Sequence, residues 1–197
     1  MNTIESTIGS LQQIYAIVIA LAIAEAFMQF VLDPKSSCEQ AGIQKERILP
    51  LLSLLILVVP FYHGMTRFFC EVYQVDQINN FYGVWLLVDC CVFTIEAGLF
   101  FILARSLPKE RWFTFYSTVM VLLILDIFWG MLVWCCRTNI IRSWVIVNLC
   151  TVPLLGIILF KFHKSTSWWA ISLAFLVVLA RTVADYCTGW EFYFPKL

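Results

Sequence analysis

Eight ionisable side chains stand in stretches of this sequence that are otherwise apolar: Glu25, His63, Arg67, Asp89, Glu96, Asp126, Arg181 and Asp185. One such group costs about 2.5–3.5 kcal/mol at the centre of a bilayer on insertion scales. Eight turned to lipid would cost on the order of 20 kcal/mol, more than the whole stability of a typical fold. They must therefore face one another or water. Spacing puts several on shared helix faces. His63 and Arg67 are four apart, as are Arg67 and Glu71, and Arg181 and Asp185. Asp89 and Glu96 are seven apart, two turns along one face.

Two kinds of chemistry fit these residues. Intramembrane carboxylates hold protons or attract cations. Glu25 and Glu96 have no evident basic partner in the sequence, and around an axis shared by several copies they would form an acidic ring. With Asp89, His63 and Asn148 they are the candidates for a polar path. His63 lies between Pro60 and Gly64, where a kink would free carbonyls beside a group that titrates near neutrality. Pro153 and Gly156 follow Asn148 and loosen the fifth span in the same way. The other chemistry is acid–base catalysis on an apolar substrate, with His63 working beside Asp89 or Asp126. A purely structural alternative reads Arg67, Asp126, Arg181 and Asp185 as an ion-pair network that fixes helix packing.

Other chemistry has less support. The eight cysteines are Cys38, Cys70, Cys90, Cys91, Cys135, Cys136, Cys150 and Cys187, with no C-x-x-C pair. Small apolar packing is their ordinary use, and a zinc site or a disulfide among Cys70, Cys135, Cys136 and Cys187 is the sharper option. There is no G-x-S-x-G. Only one histidine falls in an apolar stretch, which argues against haem held between helices. No metal, cofactor or catalytic residue is assigned.

The elements that must position these groups are transmembrane helices. Hydrophobic residues make up 61% of the 197-residue chain and charged residues 13%, about half the charge of soluble proteins. Six stretches are long enough to span the hydrocarbon, at 11–32, 48–69, 81–104, 113–134, 140–160 and 168–188. The expected fold is an all-α integral membrane protein, a bundle of six transmembrane helices with short loops and a polar interior, forming a single domain. Strand alternation of the outer-membrane type is absent. The first ten residues carry Glu5 and no Lys or Arg, so they do not read as a signal peptide.

The loops after spans 1, 3 and 5 carry Lys35, Lys45, Arg47, Arg105, Lys109, Arg111, Lys161 and Lys164. The positive-inside bias puts them in the cytoplasm and both termini outside, in the cell membrane of a bacterium. Trp112, Trp134, Trp144, Trp168, Trp169 and the tail from Trp190 to Pro195 read as an interfacial aromatic belt. Net charge is zero, with no basic patch for nucleic acid. The partners expected are the lipid bilayer, further copies of the chain in a homo-oligomer, and a regulatory protein. The leading functional expectation is an oligomeric ion channel or ion-coupled transport protein. An acid–base enzyme on a lipid and a non-catalytic partner subunit are the alternatives.

Overall fold

The structure is a computed structural model that describes residues 3–31, 45–73, 82–107, 111–136, 141–163 and 167–195. Lys35, Cys38, Lys109, Arg137, Lys164 and Lys196 lie outside the described residues, and with them part of the disulfide and orientation expectations. Seven helices are described: α1 Thr3–Val31, α2 Lys45–Tyr73, α3 Tyr82–Arg105, α4 Trp112–Cys136, α5 Arg142–Phe162, α6 Trp168–Thr188 and the short α7 Trp190–Tyr193. The first six are long and apolar enough to cross a membrane. They match the six apolar stretches, but α1 begins well before residue 11 and α2 runs past both expected ends. Polar end residues continue a helix whose apolar part alone is visible to a hydropathy reading.

The helices form a ring of five with one outside. α2 packs on α6, α6 on α5, α5 on α4, α4 on α3, and α3 on α2. α1 packs on α3 and to a lesser degree on α2. Its buried face is Ile8, Tyr15, Ile19, Ala22 and Ala26, a seven–four–three–four spacing that keeps one stripe against the ring. Its other side shows Ile14, Ile17, Leu21 and Met28. The outside of the chain is thus as apolar as its interior.

Polar groups on that outside are satisfied within their own helices. The Thr66, Thr94 and Thr118 hydroxyls donate to the carbonyls of Tyr62, Cys90 and Thr114, four residues back. Pro60 and Pro153 sit inside α2 and α5. Pro60 has no N–H to give the Ile56 carbonyl, and Thr182 of α6 donates to that carbonyl instead, at 3.5 Å. The carbonyl that the proline frees therefore ties α2 to α6.

Two contacts fix how the ring closes. A Cβ on Gly130 of α4 would stand 2.6 Å from Val145 Cγ2 of α5, so the glycine lets these helices approach closely. Inside, Phe68 of α2 and Phe93 of α3 meet the Trp129 ring of α4 edge-on, at 4.9 and 5.1 Å between centroids. Gly130→Leu is expected to cost at least about 1–3 kcal/mol through overpacking, read as a lower thermal midpoint in detergent. Gly98→Leu serves as control, because a Cβ there meets nothing within 4 Å. Equal midpoints for the two variants would contradict the close α4–α5 approach.

Candidate functional site

The ring encloses a cavity lined by side chains from all five of its helices and from α7. Its charged lining is Glu96 of α3, Asp126 of α4, and Arg181 and Asp185 of α6. These residues are 1%, 7%, 4% and 1% exposed. The walls are apolar and aromatic, with Phe61 and Met65 from α2, Phe93, Trp129 and Trp144 among them. Three carboxyl groups thus lie around one guanidinium in a buried, low-dielectric environment, where unpaired charge is expensive.

The hydrogen bonds run outward from Arg181. Its Nε donates to Asn148 Oδ1 at 2.9 Å, and Asn148 Nδ2 donates to Asp126 Oδ2. A guanidinium can only donate, so the amide turns its oxygen to Arg181 and its NH2 group to Asp126, which is its one permitted orientation. Arg181 Nη1 lies 3.1 Å from Asp185 Oδ2, one helical turn on. That pairs the charges, but Nη1 is not in hydrogen-bonding geometry with it or with any other atom of the described residues. The flat face of the guanidinium lies 5.1 Å from the Phe61 ring centroid. Glu96 Oε1, Asp185 Oδ1 and Trp144 Nε1 are likewise buried without a hydrogen-bond partner among the described residues.

One end of the cavity is closed by the C-terminal segment. Gly189 ends α6 and its N–H bonds the Asp185 carbonyl at 2.8 Å. The next residues fold back as α7, and the Tyr193 hydroxyl donates to Asp185 Oδ2 at 3.1 Å. Burial, with the Asp185 charge adding to it, holds the Tyr193 phenol well above its usual value, so it remains a donor at any working pH. Arg67 secures the segment by donating from Nε to the Phe192 carbonyl at 3.0 Å, while its Nη2 pairs with Glu71. Gly64 makes room on α2. A Cβ there would be 3.1 Å from the Trp144 ring and 3.5 Å from the Tyr193 hydroxyl.

The sequence candidates separate into five places. Glu96, Asp126, Arg181 and Asp185 line the cavity, and Asn148 joins Arg181 to Asp126 beside it. Arg67 belongs instead to the α7 attachment. Asp89 is fully buried and accepts from Trp129 Nε1 at 2.9 Å and from the Tyr73 hydroxyl. His63 sits against the Tyr186, Tyr193 and Phe194 rings and within 3.4 Å of the Tyr186 hydroxyl. Its described neighbours include neither Asp89 nor Asp126.

Glu25 is far from the cavity, at the opposite end of the bundle, and does have a basic partner. Arg105 Nε lies 3.3 Å from its Oε1, and Gln29 Nε2 donates to the same atom at 3.0 Å. Arg47 then donates to the Gln29 carbonyl in the last turn of α1. Three aromatic assignments also change. Trp112 and Trp144 are 2% and 6% exposed and belong to the interior, and Tyr193 is buried over the cavity. Trp168, Trp169 and Trp190 remain exposed as a belt requires.

Among the described residues no three His, Cys, Asp or Glu side chains are disposed to hold a metal ion. Cys70, Cys90, Cys91, Cys135, Cys150 and Cys187 are free thiols, and the side chain of Cys136 lies outside the described residues.

Asn148→Leu keeps the volume of the bridge and removes its polarity. It leaves the Asp126 carboxylate and Arg181 Nε unpaired, at a cost of roughly 3 kcal/mol. Reversible unfolding in mixed detergents measures this, and a loss under about 1 kcal/mol would show that Asn148 does not join the two charges. Compared with known protein families, with curated proteins and with solved structures, the chain matches none of them.

Proposed function

We propose that this chain is an integral membrane protein that translocates ions, with the proton as the ion and the Glu96–Asp126–Asp185 cluster as the place where it is held. The single observation behind this reading is the convergence of three carboxyl groups from α3, α4 and α6 on Arg181 at the centre of the ring. If all four were ionised, the site would carry two uncompensated negative charges away from water. Two protons restore neutrality, and exchanging one of them is the chemistry such a site performs most readily.

The proton fits better than a metal cation. Two N–H donors, on Trp144 and Arg181, line the same cavity, and donors repel a bare cation. The path in this reading runs through each chain. Glu96 faces the middle of its own ring, so an acidic ring shared between copies is not needed. The alternation of basic loops supports an orientation with the Glu25–Arg105 end in the cytoplasm and the α7 end outside.

The test uses purified full-length chain in lipid vesicles loaded with a pH-sensitive dye. A potassium diffusion potential set with valinomycin supplies the driving force. Protein-containing vesicles should acidify faster than empty ones, and Glu96→Gln and Asp126→Asn should each slow this at least about tenfold. Arg105→Gln, at the other end, should leave it unchanged. Wild-type vesicles that match empty ones over a wide range of pH and potential would end the proposal.

A further inference from the structure

The proposed translocation leaves open how a proton moves between carboxyl groups that do not bond each other. The cavity between them has a free volume of about 20 Å³, and roughly 10–15 Å³ of such space holds one water. Four of its lining side chains carry a buried polar atom with no hydrogen-bond partner among the described residues: Glu96 Oε1, Asp185 Oδ1, Trp144 Nε1 and Arg181 Nη1. Two are acceptors and two are donors. A water molecule has two donors and two acceptor lone pairs, so its bonding capacity complements these four atoms.

From this match, resting on the proton-translocation reading above, we infer that the cavity is a binding site for a single water that bridges Glu96 and Asp185 and relays the proton between them. A metal cation would leave both N–H groups unsatisfied. An organic amine exceeds the space and has no lone pair free for them.

The step balances without another reactant. A proton on Glu96 Oε1 is donated to the water oxygen, taking the lone pair otherwise used by Trp144. As that O–H bond breaks and the new one forms, the opposite O–H bond of the water breaks and its proton joins Asp185 Oδ1. Glu96 is left as carboxylate, Asp185 as carboxylic acid, and the water is regenerated. Trp144 and Arg181 hold the water in line and are positioning residues. Tyr193, bonded to the other oxygen of Asp185, closes the site on the outer side.

Infrared difference spectra of the wild-type chain in vesicles, taken across a pH step in ordinary and in heavy-oxygen water, test the inference. A single sharp O–H stretch that moves with the oxygen isotope is expected. Trp144→Phe, which keeps the ring and removes one donor, should shift that stretch and slow vesicle acidification about fivefold. Proton flux with no isotope-sensitive stretch would overturn the relay while sparing the transport reading. A stretch untouched by Trp144→Phe would also overturn it, since the water would then lie elsewhere. A stretch that responds to Trp144→Phe in a chain without proton flux would overturn both the relay and the transport reading.

Discussion

A guanidinium has no neutral form at any accessible pH, so a chain that buries Arg181 among five helices has to supply its counter-charge from inside. The surrounding architecture follows from that demand. Asp185 answers it from the same helix, one turn away. Asn148 carries the interaction across α5 to Asp126 on α4, and Phe61 of α2 offers its ring face. Four of the five ring helices are thereby tied to one cation. The fifth, α3, brings Glu96 to the cavity beside it. Removing a partner here strands a charge, which is why the cluster fixes helix order and rotation as well as holding polar groups.

The six long helices were legible in the sequence because an apolar run of sufficient length needs no tertiary information to be recognised. Contacts within one helix were legible too, since spacing alone brings Arg181 to Asp185 and Arg67 to Glu71, and sets Asp89 and Glu96 on one buried face of α3. Contacts between helices were not. Nothing in the sequence pairs Glu96 of α3 with Asp126 of α4, yet they line one cavity.

The tail was misread for a related reason. An interfacial belt and a buried lid draw on the same aromatic residues, so Trp144 and Tyr193 carry no label that distinguishes the two. The only local signs were small residues. Gly64 has no Cβ where Trp144 and Tyr193 press against α2, and Gly189 lets α7 turn back at the end of α6. Glu25 was thought to lack a partner because Arg105 is remote in sequence. The packing of α1 on α3 brings them together.

The fixed orientation of the Asn148 amide has an electrical meaning. A hydroxyl, a water or a carboxyl can accept a proton on one side and release another on the other side. A primary amide held between a guanidinium and a carboxylate cannot do so without becoming a high-energy tautomer. Asn148 therefore joins Arg181 to Asp126 mechanically while insulating Asp126 from Asp185 along that route. Any charge that passes between the two aspartates must take another route through the cavity, which makes the Asn148 bridge a strut and not a wire.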